Sequence, residues 1–241
     1  MAAPSILGSN QSTSIVASIG VSITVPAGGG FLSIYVTAPD ASVGGVTGVA
    51  STSGQGESYS LSGFGGDSTH TQGLWRWISS QALSPASFTV TATFITTAST
   101  VGIAARLMPG ATAQLAACAG NVQQTPGTGV AGVTTGLSGT LSTSQAVLEG
   151  ATITTSGAAS ISAAGGATLD ATAWNPIKTN FVSFEYLQLS ATTSVAATFT
   201  SGNGNPQVSV GGVWTVPSTG GATGGGGLGG GLDGGLTGGL A

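Results

Sequence analysis

The sequence predicts an all-β fold: a single antiparallel β-sandwich of jelly-roll-like type, followed by a glycine-rich C-terminal arm. Three observations carry this. Apolar residues alternate with small polar ones at a period of two over many short stretches. Those stretches are β-branched and aromatic, and Gly, Pro, Asn and Ser clusters separate them. No window of helical length shows a 3.6-residue apolar period with caps; Ala111 to Ala119 is the one Ala-rich helix candidate.

The clearest strand runs from Ser14 to Pro26, where Ile15, Ala17, Ile19, Val21, Ile23 and Val25 share a face. Pro26 and Gly28-Gly29-Gly30 break it. The next strand puts Leu32, Ile34 and Val36 opposite Ser33, Tyr35 and Thr37, and Pro39-Asp40 closes it. Trp75 and Trp77 then share a face, opposite Leu74, Arg76 and Ile78. Between Ser87 and Thr97 the inward set is Phe88, Val90, Ala92 and Phe94, against Thr89, Thr91 and Thr93. Val101, Ile103, Ala105 and Leu107 follow, with Arg106 directed the other way. Later strands are expected at Gln145–Ile153, Asn180–Leu189, Ser194–Thr200, Gln207–Val210 and Gly212–Val216. The Thr/Gly-rich stretch from Gln123 to Thr143 reads as a long crossover, so residues 1–219 are taken as one domain.

Composition changes at Gly220. From there to Ala241, 13 of 22 residues are glycine, and Leu228, Leu232, Leu236 and Leu240 recur at every fourth position. Each glycine costs about 1 kcal/mol relative to alanine in a helix, so an isolated helix is excluded. In an extended chain this spacing places all four leucines on one side, about 13 Å apart. Two readings stand: a flexible low-complexity tail, or an assembly arm that docks its leucine row on a neighbouring subunit.

Charge narrows the function. Only 4% of the 241 residues are charged and the net charge is −4, against roughly 25% charged residues in an average globular chain. Three cations cannot make a nucleic-acid surface. Ser, Thr, Gly, Asn and Pro interrupt every apolar run, so no membrane span is expected. The first twenty residues hold no Lys or Arg and no apolar h-region, so no cleaved leader is expected. The single cysteine, Cys118, rules out an intrachain disulfide.

Catalytic and metal constellations are thin. The only histidine, His70, has Asp67 nearby, but no serine sits in a Gly-x-Ser-x-Gly elbow. One His and one Cys do not make a zinc site. Asp40, Glu57 and Asp67 lack the spacing of a calcium loop. Glu149, Asp170 and Glu185 could form a glycosidase pair only if the fold brought two of them together; charges on strands are more often solvated or paired. The Gly-x-Gly-x-x-Gly match at Gly225 to Gly230 lies in a polyglycine run without the flanking strand and helix, and no glycine loop precedes Lys178-Thr179. Trp75, Trp77, Trp174 and Trp214 read as core residues rather than sugar platforms. Thr89, Thr91 and Thr93 form a local threonine row that no longer repeat extends into an ice-binding array. No catalytic residue, metal or cofactor is expected.

Taken together, Phe31-Leu-Ser-Ile-Tyr-Val, Leu74-Trp-Arg-Trp-Ile, Ser87-Phe-Thr-Val-Thr-Ala-Thr-Phe and Val101-Gly-Ile-Ala-Ala-Arg-Leu open a recognisable strand order. It continues through Gln145-Ala-Val-Leu-Glu-Gly, Phe184-Glu-Tyr and Val195-Ala-Ala-Thr-Phe-Thr. Over about residues 13 to 217 this resembles the β-sandwich structural proteins of tailed-bacteriophage virions, departing from them at Arg106, where relatives often carry an acid. The resemblance implies a non-enzymatic role in capsid decoration, a head fibre or a tail component. It also implies synthesis in the host cytoplasm, residence in the virion, and other copies of itself and other virion proteins as partners. The alternative is a carbohydrate- or cell-surface-binding adhesin, for which Trp75, Trp77 or Tyr59 would form an exposed aromatic shelf and a surface glycan would be the partner.

Overall fold

The computed structural model describes residues 3–39, 45–66, 73–98, 100–123, 146–154, 161–164, 168–169, 174–177, 180–189, 198–201 and 207–215. Eight strands come first: β1 (Ser5–Ser12), β2 (Val16–Val25), β3 (Phe31–Ala38), β4 (Val46–Ser51), β5 (Tyr59–Gly66), β6 (Gly73–Ser79), β7 (Ala86–Ala98) and β8 (Val101–Met108). They form a five-stranded sheet ordered β1-β8-β3-β6-β5 and a three-stranded sheet ordered β2-β7-β4, with every pairing antiparallel. The pairs β1–β8, β2–β7 and β3–β6 are nested, and alternate nested pairs fall in opposite sheets. This is the jelly-roll order, with β5 turned onto β6 at the sheet edge.

The alternation explains the sandwich. Ile19, Val21, Ile23 and Val25 of β2 and Phe88, Val90, Ala92 and Phe94 of β7 face inward. They pack on Leu32, Ile34 and Val36 of β3, Trp75 of β6, and Val101, Ile103, Ala105 and Leu107 of β8 in one apolar cluster. The beginning of β2 departs from the expected register. A bulge between Val16 and Ser18 shifts the pairing with β7, so Val16 packs on the core while Ile15 is 73% exposed.

The second half of the chain pairs only with itself among the described strands. These are β9 (Ala113–Gln123), β10 (Ala146–Thr154), β11 (Ile161–Ala164), β12 (Thr168–Leu169), β13 (Trp174–Ile177), β14 (Asn180–Leu189), β15 (Thr198–Ser201) and β16 (Gln207–Thr215). A sheet runs β12-β14-β10-β16-β9 with β13 also on β14, and β11 pairs β15. The alanine-rich helix candidate is therefore strand β9: along this segment β9 pairs with β16 from Ala113↔Thr215 to Gln123↔Gln207, and tertiary pairing overrides alanine's local preference. The two late segments, Gln207–Val210 and Gly212–Val216, are one strand through Gly211 and Gly212. Of the expected crossover, residues 124–143 lie outside the described residues, as does the arm at 220–241.

The β10-containing sheet covers the remaining face of the β3-containing sheet. Tyr35, Leu74 and Ala104 pack against Ala151, Phe184 and Val210. Met108 and Ala111 pack with Val147 and Trp214. The β3-containing sheet is thus buried on both sides, and all eight residues of β8 are buried. Among the described residues no helix is long and apolar enough to cross a membrane.

Candidate functional site: a buried ion cluster between two sheets

Strands whose two faces are both covered leave no route to solvent for a charged side chain. Arg76 on β6 and Arg106 on β8 occupy the face of the middle sheet that meets β10, and both are completely buried. Between them lies Glu149, also completely buried. Burying one unpaired charge is prohibitive, so the three must be read as a unit.

The geometry supplies the compensation. Arg76 donates from Nη2 at 2.5 Å and from Nε at 3.1 Å to Glu149 Oε1. The same oxygen accepts from Trp214 Nε1 at 2.8 Å and from the Ser33 hydroxyl. Arg106 Nη1 lies 3.7 Å from Glu149 Oε2, an ion pair longer than a hydrogen bond. Arg76 also donates to Ser62 Oγ at 2.6 Å and to Ser33 Oγ at 3.2 Å. Aromatic faces complete the enclosure: Arg76 sits 5.5 Å from the Trp214 ring centre, and Arg106 lies 5.9 Å from Phe184 and 5.8 Å from Tyr186.

The local sequence makes room for this. Glu149 pairs with Gly212 across β10 and β16, and the Arg76 guanidinium lies against that glycine. A Cβ at position 212 would come within 2.6 Å of Arg76 Nη1 and 2.8 Å of Cζ. Only a residue without a side chain admits the planar guanidinium there.

Burial by itself would favour the neutral acid at Glu149. Arg76 and Arg106 outweigh it, helped by the bonds from Ser33 and Trp214, and hold the carboxyl below its ordinary range. Burial likewise opposes the charge on Arg76, and Glu149 reverses that, raising its pKa. Tyr35, on the same face, is raised by burial first and by the Glu149 charge second. Two guanidiniums therefore flank the Glu149 carboxylate. The cluster is closed to solvent, which suits it to fixing the register of two sheets rather than to meeting a ligand.

The other candidates fall elsewhere. Glu149 stands opposite Tyr186, and Glu185 is one register position away, opposite Gly150. Asp170, the third acid of that set, lies outside the described residues, as do His70, Asp67, Asp40 and Lys178. The side chains of Glu185, Cys118 and Trp174 also lie outside the described residues, as do Leu228, Leu232, Leu236 and Leu240. Glu57 is described, and its carboxylate accepts from Ser51 and Tyr59, and from Ser53 at 2.6 and 2.5 Å. Desolvation there is outweighed by the Ser51 and Ser53 hydroxyls, and the Glu57 pKa is lowered. Among the described residues no group of three His, Cys, Asp or Glu could hold a metal ion.

Trp75 is buried in the jelly-roll core, its ring tilted at 42° to that of Phe64 with centres 5.1 Å apart, while Trp77 and Tyr59 are half-buried against the same core. The sequence reading did not anticipate Ser33, Tyr35, Gly212 or Trp214 as parts of one cluster. The available signal was a cation in the middle of two apolar strands. Compared with known proteins, the chain matches no family model, no curated protein and no solved structure.

Proposed function

We propose that this protein is a non-enzymatic structural component of a bacteriophage virion. In this reading it associates with its own copies and attaches to other capsid or tail proteins, most naturally as a decoration or head-fibre subunit. Jelly rolls serve viral capsids and lectins alike, so the fold alone does not select the role.

One observation carries the reading. Of the charged residues whose side chains are described, Arg76, Arg106 and Glu149 lie in the interior, and Glu57 alone reaches the surface. An average globular chain is roughly 25% charged, and such residues are mostly exposed. The centres of protein interfaces are depleted in charge. The outer face of the β2-β7-β4 sheet shows what replaces it. Ser22 and Thr89 hydroxyls meet at 3.2 Å, Thr24 and Ser87 at 2.8 Å, and Thr47 bonds the Thr93 carbonyl at 3.1 Å. A face whose hydroxyls bond one another has little need of water, and a neighbouring subunit can cover it at small desolvation cost. Closed symmetric association is the usual way to bury such a face.

The test is particle-based. Antibodies against the purified chain should label intact virions at regular positions, and the isolated protein should form a defined oligomer in light scattering. A chain that stays monomeric at high concentration and is absent from purified particles would overturn the proposal.

A further inference from the structure

The three-stranded sheet β2-β7-β4 has two edges, and the chain treats them differently. β1 covers part of the β2 edge: Asn10 Nδ2 donates to the Gly20 carbonyl at 2.7 Å, and a Cβ on Gly8 would stand 3.0 Å from the Ser22 carbonyl oxygen. At the other edge, β4 pairs with β7 alone among the described strands. Its sequence, Val-Thr-Gly-Val-Ala-Ser, holds no charge and no proline, the usual guards of an exposed edge. The bulge between Val46 and Gly48 leaves residues 48 to 51 paired one to one with residues 93 to 90. Thr47 and Ala50 are exposed, and a Cβ on Gly48 would meet nothing within 4 Å.

The direction of the main-chain groups follows from the same ladder. Thr52 donates its N–H to the Thr89 carbonyl at 3.0 Å, and the Thr89 N–H bonds Thr52 Oγ1 at 3.1 Å. In an antiparallel pair, successive residues direct their N–H and C=O groups to opposite sides. Thr52, Ala50 and Gly48 therefore aim theirs at β7, whereas Ser51 and Val49 aim theirs away from it. Such a row is self-complementary. A two-fold axis through Val49 sets it against Val49 of a second copy, Gly48 against Ala50 and Ser51 against Thr47, so like faces meet. Val49 then exchanges both main-chain hydrogen bonds with its counterpart. Charge selects the same direction. The Glu57 carboxylate is held by Ser51 at one end of β4. Antiparallel pairing sets the two Ser51 residues about 14 Å apart, beyond the screening length of about 8 Å. Parallel pairing would bring both carboxylates to the same end.

We propose that β4 is a self-association edge: two copies pair β4 with β4 antiparallel about Val49 and fuse their β2-β7-β4 sheets into one of six strands. The hydroxyl rows of both copies then lie on one continuous sheet. This pairing does not rest on the virion reading. A β4-linked dimer absent from virions would leave it standing, and an oligomer in virions that never joins β4 to β4 would overturn it alone.

Cross-linking between chains tests it in full-length protein carrying Cys118→Ser. Gly48 and Ala50 of opposite copies form a close pair, with Cα atoms about 4.5 Å apart, inside the range of a disulfide. Like positions, 48 with 48 or 50 with 50, lie about 8 Å apart, outside it. A mixture of Gly48→Cys and Ala50→Cys chains should therefore cross-link about tenfold faster than either variant alone. Equal rates would overturn the proposal, and so would an edge taken by another protein's strand, which gives no such cross-link. Val49→Pro provides a second measurement. It removes an N–H directed away from β7, so the β4–β7 ladder keeps its bonds, and circular dichroism checks that the strands remain. Self-association read by sedimentation velocity should weaken about tenfold through the two lost hydrogen bonds. A folded variant that associates as tightly as the parent would overturn the proposal, and the cross-linking test decides it should this variant not fold.

Discussion

Arg76 and Glu149 are 73 residues apart in sequence and meet at 2.5 Å with neither side chain exposed. One belongs to the jelly roll and the other to the second sheet system, and no described strand of either set pairs with the other. Their contact, with Arg106 and Trp214, is where backbone pairing is replaced by side-chain chemistry. An apolar interface tolerates sliding, whereas one oxygen accepting from Arg76, Ser33 and Trp214 does not.

Glu149→Gln keeps the shape and removes the charge, leaving two buried guanidiniums facing a neutral amide. A loss of about 3–5 kcal/mol is expected from breaking a buried pair on one side. The shift of the urea midpoint measures it. Replacing Arg76, Arg106 and Glu149 together by apolar residues of similar volume should cost far less than this single change.

Acid should act through the same carboxylate. Its folded pKa is depressed, so its stabilisation is fully present above the ordinary carboxylate range and is lost as pH falls through the lowered value. Stability against urea should therefore decline below about pH 4. That decline should be shallower in Glu149→Gln, and an identical slope in the two proteins would show that Glu149 is not the group responsible.

Two glycine substitutions should separate cleanly. Gly212→Ala forces a methyl into the Arg76 guanidinium and should destabilise by about 1–3 kcal/mol. At Gly48 a Cβ meets nothing within 4 Å and no left-handed backbone is required, so Gly48→Ala should be neutral or stabilising by about 0.4–1 kcal/mol. Thermal midpoints of the two variants provide the comparison.

On the hydroxyl-rich face, Thr91→Lys places a cation at the centre of the β2-β7-β4 sheet, between Gly20 and Ala50. Folding stability should stay within about 0.5 kcal/mol. Association between copies should fall, as read by sedimentation velocity. A variant that assembles as well as the parent would remove this face from the interface.

Trp75→Ala should cost about 3–5 kcal/mol, because the ring is wholly enclosed in the core. Ile15→Ser, at a position 73% exposed, should leave the midpoint nearly unchanged. Both are read by chemical denaturation.

Much of the jelly roll was legible in the sequence because its strands have one apolar face. The inward sets of β7 and β8, and the opposition of Trp75 to Arg76, follow from period two alone. Strands β1, β4 and β5 escaped notice because Gly and Ser interrupt their alternation, as in Ser5-Ile-Leu-Gly-Ser-Asn. The ion cluster was half visible. Period two places Arg76 and Arg106 opposite the apolar core, but does not say that another sheet covers that side. The partner came from far along the chain, and nothing local to Glu149 distinguishes a buried carboxylate from a solvated one.

The division of strand pairing near Met108 bears on synthesis. As the nascent chain leaves the ribosome, β1 to β8 emerge first and can close among themselves, with both arginines already in place. Their carboxylate is encoded 43 positions after Arg106 (149 − 106), a delay of roughly two to nine seconds at ordinary elongation speeds. For that interval the early half presents two cations and an uncovered apolar face. Premature contact between unfinished chains is then opposed by like-charge repulsion, which weakens once the Glu149 carboxylate comes to lie beside the two guanidiniums.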